Sequence, residues 1–311
     1  MSNRTAVGLP SVATPLALRA GAELVGSLFV FLAIYMVSSY GTAMYGVNMA
    51  FIAVATGLAY AAVTTVMGKL SGGHYNPAVT VAAMLTGRTA PLDGLIYIVA
   101  QILGSLGAGA LLRFLLPTSS SVKASVWLTP VVNGFDDGSV SYSTLSSVNI
   151  SFSIGLAVLV EVVGSMIVIA AALRTLRQDG SPTEDHGLVM GMAYGLGAAV
   201  AYPLTGAGLN PARSTGIAVF AQNQGLSQQP LQQLWVFWIC PVLAAALVAL
   251  VVIVAQMLSG RATGPVAQDA ADAEDDDDET DSDASDDDPD AQEDEQQTES
   301  EEDADSRVES D

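Results

Sequence analysis

The chain is poor in charge, in cysteine and in histidine, with one cysteine and two histidines among 311 residues. The lone Cys240 excludes an intramolecular disulfide and any cysteine-built metal cluster, and its place inside an apolar run reads as a packed, inert thiol. Charged residues make up 14% of the chain while half of it is hydrophobic, which excludes an ordinary soluble domain. No nucleophile stands with a partner base, no phosphate-cradling loop is present, and no basic patch suits a nucleic acid. The expectation is therefore a protein with no catalytic residue, no cofactor, no metal site and no nucleic-acid partner.

The formal charge of −21 is confined to one end, because 24 of the 32 acidic residues lie between Asp269 and Asp311. Residues 1–268 carry 8 acids against 10 bases and are close to neutral. A segment with so few apolar residues reads as a solvated, self-repelling, disordered tail, here residues 261–311. Such acidity is compatible with a high-salt cytoplasm, where carboxylates stay hydrated, and suits a halophile such as a halophilic archaeon. Screening at high salt would weaken any electrostatic partner of the tail.

What the rest of the chain has is long apolar runs. Six candidate spans lie at roughly 20–38, 46–67, 95–112, 154–173, 188–204 and 234–258. Arg4 and Arg19 precede the first, which resembles a signal peptide but is needed as a retained helix by the repeat described next. Two shorter apolar segments, 77–86 and 211–220, are about 15 Å long if helical, half of a hydrocarbon core of about 30 Å. They follow similar text, Gly-His-Tyr-Asn-Pro-Ala-Val at 73–79 and Gly-Leu-Asn-Pro-Ala-Arg-Ser at 208–214, centred on Asn76 and Asn210. The order span, span, half-span, span thus occurs twice. With three full spans per half, the second copy enters from the opposite face, an inverted repeat. Glu23 in the first span and Glu161 in the fourth form a second matched pair, at similar intervals before their asparagines.

Asparagine at an N-cap followed by proline at the first helical position makes a well-formed helix start. Irregular backbone at membrane depth is tolerated only where it is buried in protein or lines a polar cavity, so two such starts imply a pore where they meet. As caps, the asparagine oxygens would accept backbone N–H bonds and leave the amide hydrogens to donate to a passing oxygen. Arg4, Arg19, Lys69, Arg88, Arg174, Arg177 and Arg261 fall on one side of this topology, against Arg113 and Lys123 on the other. The positive-inside rule then puts both termini in the cytoplasm.

These two loops, Ser-Gly-Gly-His-Tyr-Asn-Pro-Ala-Val-Thr at 71–80 and Gly-Leu-Asn-Pro-Ala-Arg-Ser at 208–214, resemble the paired signature of the major intrinsic protein (aquaporin) family, over about residues 18–258. The resemblance implies an all-α membrane protein of six transmembrane helices and two re-entrant half-helices. It implies a multi-pass channel of the cell membrane, assembled as a homotetramer in the lipid bilayer. Asn76, Pro77, Ala78, Asn210, Pro211 and Ala212 would form the pore motifs, and Glu23 and Glu161 would brace the loops, with Gln101 also at a family-like position. The outer selectivity filter would consist of Thr56, Ala198, Ala207 and Arg213, and His74 would lie in the internal vestibule as a structural hydrogen-bonding group.

The expected organisation is an N-terminal cytoplasmic segment 1–17, a first repeat 18–116, an external loop 117–150, a second repeat 151–260 and the tail. Three of the four filter positions carry small side chains, which departs from the water-selective pattern and predicts a wide mouth unless the external loop folds in. Ser214, Ala218, Phe237 and Trp238 instead resemble the water-channel subgroup. Passive water conduction that excludes protons and ions is the expectation, a facilitator for glycerol, urea or other small neutral solutes the alternative. Two further rivals are an ion-coupled secondary transporter, for which only Glu23 and Glu161 could serve as ion sites, and an adhesive or structural membrane protein with a closed pore.

Overall fold

A computed structural model describes residues 14–262; the acidic tail from 263 on and the segment 1–13, with Arg4, lie outside the described residues. Among the described residues six helices are long and apolar enough to cross a membrane. The first, α1 (Leu16–Met36), continues through a π-helical turn (Val37–Gly41) and one last turn (Thr42–Tyr45). It is followed by α2 (Met49–Ser71), a half-length α3 (Pro77–Leu85) and α4 (Pro91–Leu115). A loop holding the short α5 (Ala124–Leu128) leads to α6 (Ile154–Thr175), α7 (His186–Thr205), a half-length α8 (Pro211–Ala221) and α9 (Val236–Ala262). The six spans and two half-helices fall on the apolar runs read from the sequence, with ends shifted by a turn or so.

Local chemistry sets these boundaries. Asn48 caps α2 by accepting from Phe51 N at 3.0 Å. α2 and α7 both end on a glycine in the left-handed region, Gly72 (φ 99°) and Gly206 (φ 75°), which turns the chain back into the protein. Proline at the first position opens α3, α4 and α8, where its missing N–H would have no intrahelical partner anyway.

The helices are inverted relative to those of a water-soluble bundle. Leu58, Val66, Leu103, Leu159, Met192 and Leu250 are exposed on the outer surface, as a lipid-facing belt requires. Glu23, Ser27, Thr64, Gln101, Ser105, Glu161 and Ser165 are buried inside. Polar groups at this depth are placed where protein, not hydrocarbon, surrounds them.

Close helix contact is made by small residues. On α2, Gly57 and Ala61 face Gly191 and Gly195 on α7, and a Cβ added at Gly57 would sit 2.6 Å from the Gly191 carbonyl oxygen. The reciprocal Cβ at Gly191 would lie 2.7 Å from the Gly57 carbonyl. These are two small-xxx-small faces, one from each half of the repeat, and Gly57 is offset from Gly191 by the same interval that separates Asn76 from Asn210. Gly104 of α4 packs against the Leu24 backbone of α1 in the same manner, and Gly109 against Gly216 of α8.

Gly191→Leu should force α2 and α7 apart and reduce the yield of monodisperse, detergent-solubilised protein sharply. Gly21→Ala, where an added methyl meets nothing within 4 Å, should leave it unchanged. Fluorescence-detected size exclusion of both variants makes the comparison, and equal profiles would contradict this packing.

Candidate functional site

The two half-helices begin at the centre of the protein. Asn76 and Asn210 are fully buried, and each caps its own half-helix through the side-chain oxygen. Asn76 Oδ1 accepts from Ala78 N at 2.8 Å, and Asn210 Oδ1 from Ala212 N at 3.0 Å and Arg213 N at 3.3 Å. Pro77, Ala78, Pro211 and Ala212 are buried in the first turns behind the caps. The amide nitrogens tie the two starts together across the repeat. Asn76 Nδ2 donates to Leu209 O at 3.0 Å, and Asn210 Nδ2 donates to Tyr75 O at 2.8 Å.

The backbone just before each asparagine is irregular in the same way twice. Tyr75 (φ 45°) and Leu209 (φ 53°) are left-handed, as are Gly73 (φ 67°) and Ala207 (φ 53°) two positions earlier. Left-handed backbone costs a residue with a Cβ roughly 1–2 kcal/mol. Buried carboxylates compensate. Glu23 accepts from His74 N at 2.9 Å, Tyr75 N at 2.7 Å, Ser71 Oγ at 2.6 Å and Gln101 Nε2 at 2.8 Å. Glu161 accepts from Gly208 N at 2.8 Å, Leu209 N at 2.6 Å and Thr205 Oγ1 at 2.6 Å. Both carboxylates are wholly buried and bonded to the loops, with neither left free.

His74 is buried beside the first loop, its Nδ1 3.1 Å from Thr80 Oγ1 and its ring edge-on to Tyr97. Its place is behind the loop, within the packed interior.

On the side of the long loop between α4 and α6, an outer vestibule is lined by Ile34, Ile52, Thr56, Tyr202, Ala207, Leu209 and Arg213. Thr56, Ala207 and Arg213 thus converge there. Ala198 does not line it: this residue is wholly buried among Ile52, Ala53, Val160 and Ala201, and Tyr202, one turn further along α7, faces the space instead. The long loop does fold inward over the small filter residues, the condition under which a wide mouth was not expected. Pro130 O accepts from Tyr202 Oη at 2.8 Å, and Asn133 Nδ2 donates to Thr205 O at 3.1 Å. Asn133 Oδ1 accepts from the Arg213 guanidinium and from Ser214 Oγ, and the Tyr35 hydroxyl donates to Arg213 O, so the arginine is fixed at both ends.

At the floor of this vestibule stand Tyr60 of α2 and Tyr194 of α7. Asn210 Nδ2 donates to the Tyr60 hydroxyl at 2.9 Å and Asn76 Nδ2 to the Tyr194 hydroxyl at 2.9 Å. The amide hydrogens expected to be free for a passing solute are therefore occupied, one by a carbonyl and one by a phenol. Sequence reasoning missed Tyr60, Tyr194 and Asn133. A signal for the tyrosines existed, since Tyr60 precedes Asn76 by the same interval as Tyr194 precedes Asn210.

Glu161→Ala would leave Gly208 N–H and Leu209 N–H buried without partners, at about 1–3 kcal/mol each. Thermal unfolding of the solubilised protein should show a large fall in Tm for this variant, and a smaller one for Glu161→Gln, which keeps one acceptor oxygen. A Tm for Glu161→Ala indistinguishable from that of the wild type would rule out the bracing role.

The sequence profile described as major intrinsic protein matches residues 13–252, from the first span into the last. The chain is 32% identical to aquaporin Z of Brucella melitensis over 212 residues, which cover 66% of this chain and 82% of that protein. It is also 32% identical to glycerol uptake facilitator protein-like 6 of Lactiplantibacillus plantarum over 222 residues, 70% of this chain and 92% of that protein. Its fold matches the aquaglyceroporin from Plasmodium falciparum with a TM-score of 0.59 at 17% identity, covering 76% of this chain and 93% of that one. With six apolar spans, two half-helices and a profile that runs through all of them, the chain belongs to the major intrinsic protein family and is a multi-pass membrane channel, not an enzyme.

Proposed function

We propose that this channel conducts water passively and excludes protons and ions, in the cell membrane, as a homotetramer with both termini cytoplasmic. The observation that carries this reading is the meeting of the two half-helix starts, cross-bonded from Asn76 Nδ2 to Leu209 O and from Asn210 Nδ2 to Tyr75 O. Each start contributes about half a positive charge from its macrodipole. At about 5 Å and an effective dielectric near 20, the summed charge opposes a cation by about 3 kcal/mol, over a hundredfold. Arg213, held in the outer vestibule, adds a fixed positive charge above that point, and both features favour a neutral solute rich in acceptor oxygen.

Orientation follows from charge. Arg19, Lys69, Arg88, Arg174 and Arg177 stand at the helix ends on one face, against Arg113 and Lys123 on the other, which supports a cytoplasmic position for the former. Tetramer assembly rests on family membership. Glycerol or urea facilitation is the second reading, favoured by the small side chains of Thr56 and Ala207 on the vestibule and by likeness to a relative named a glycerol uptake facilitator protein-like 6.

The full chain, reconstituted in phosphatidylcholine–phosphatidylglycerol vesicles, should shrink under an osmotic step about an order of magnitude faster than protein-free vesicles, with glycerol uptake at the lipid baseline. Stopped-flow light scattering measures both in one preparation. Rapid glycerol entry would replace the water reading with the facilitator reading, and flux that saturates and follows an ion gradient would replace both with coupled transport.

A further inference from the structure

Beside the two half-helix starts stand two residues that neither half-helix supplies. Tyr60 and Tyr194 are both buried, and their rings lie face to face, with centroids 3.3 Å apart and planes 3° from parallel. They are repeat-related, sharing the sequence offset of the two asparagines. Each tyrosine bonds the asparagine of the opposite half, Tyr60 to Asn210 and Tyr194 to Asn76. Above them the vestibule leaves about 10 Å³ for the centres of water molecules, room for about one water.

The chemistry in front of the asparagines is thereby changed. An amide nitrogen carries two hydrogens, and here one goes to the carbonyl across the repeat and the other to a phenol oxygen. A solute passing this point must take the place of a hydroxyl, offering an acceptor oxygen of about that size, and the rings, in face contact, must part to let it through. Face-to-face overlap sets like faces of the two ring quadrupoles against each other, so the rings hold each other poorly and the hydroxyl bonds to asparagine keep them in place. Loss of one such bond to a water oxygen is compensated by the new one. The outer positions Thr56 and Ala207 carry side chains too small to provide an equivalent narrowing.

We propose that Tyr60 and Tyr194 are the specificity-determining residues of this channel: a paired-ring constriction at the pore centre that admits water, by exchange of its oxygen for a phenol hydroxyl on Asn76 and Asn210, and excludes solutes of the size of glycerol. The proposal rests on the channel reading above, with the pore running between α2, α7 and the two half-helix starts.

Water and glycerol permeability per reconstituted channel should be compared for the wild type, Tyr60→Phe, Tyr194→Phe and the double variant Tyr60→Val/Tyr194→Val, with lipid-facing Leu58→Ala as control and size exclusion as the check on folding. The phenylalanine variants keep the rings but free an asparagine hydrogen, and should raise water permeability at least about threefold while glycerol stays at baseline. The double valine variant should raise glycerol permeability by about tenfold or more. Leu58→Ala should match the wild type. A wild type that conducts water and excludes glycerol, with phenylalanine or double valine variants that behave identically to it, would overturn the constriction and leave the water reading intact. A silent wild type beside a conducting double valine variant would overturn the proposal, because the paired rings would then close the pore to water instead of admitting it. Rapid glycerol flux through the wild type, or lipid-baseline flux through every folded variant, would overturn the constriction.

Discussion

The structure depends on holding non-helical backbone buried between membrane-spanning helices, where a stray N–H needs a partner within the protein. Helices and closed barrels are the usual solutions because they complete their hydrogen bonds internally. This chain interrupts itself twice there, and two buried carboxylates meet the demand. Glu23 and Glu161 each accept from two successive backbone amides, at His74 and Tyr75 and at Gly208 and Leu209, positions that correspond across the repeat. Ser71, Gln101 and Thr205 complete the ring of donors around them. A carboxylate at such depth is costly unless it is fully bonded, and an irregular loop is costly unless something accepts from it. Each problem is the solution to the other. Once the loops are fixed, the asparagines have their caps, the half-helices have their starting points, and their positive ends converge.

The inverted repeat extends the same logic to the helix walls. Gly57 and Gly191, like Tyr60 and Tyr194, share the offset of the asparagines. The glycines bring α2 and α7 into backbone contact, and that contact is what lets two tyrosines one turn away meet face to face. The outer vestibule breaks the symmetry. Arg213 has no charged counterpart in the first half, where the equivalent position is Val79, and it is fixed by Asn133 from a loop with no counterpart on the opposite face. An asymmetric charge on a symmetric frame makes the two faces of the protein unlike.

Much of this was legible in the sequence because it is written in local patterns. Apolar runs of membrane length mark the spans, Asn-Pro marks the half-helix starts, and carboxylates inside apolar runs announce buried acceptors. Tyr60 and Tyr194 escaped because a tyrosine in a span counts as one more amphipathic residue until the helix rotation is known, and rotation here is set by glycine contacts between distant segments. Counting from Asn210 puts Ala198 on the pore, but α7 turns that position into the packed interior and offers Tyr202 to the vestibule. Asn133 was beyond reach for a different reason: a loop rich in serine, threonine and glycine has no periodicity to read, and its inward fold is decided by Trp127, Leu128, Val131 and Val132 burying against the spans.

Seen from the pore, these missed residues change where selection takes place. The small side chains at the mouth are covered by the inward-folded loop, and below them an aromatic pair is set against the asparagines themselves. On the proposed reading, electrostatic and steric exclusion then act at one level of the pore. A cation reaching the tyrosines would meet the positive ends of both half-helices and would have to shed its water there. A neutral oxygen meets donors that are engaged but exchangeable. On the proposed reading both barriers sit at the same depth, so the rings would not part for a solute without exposing it to the field of the half-helices.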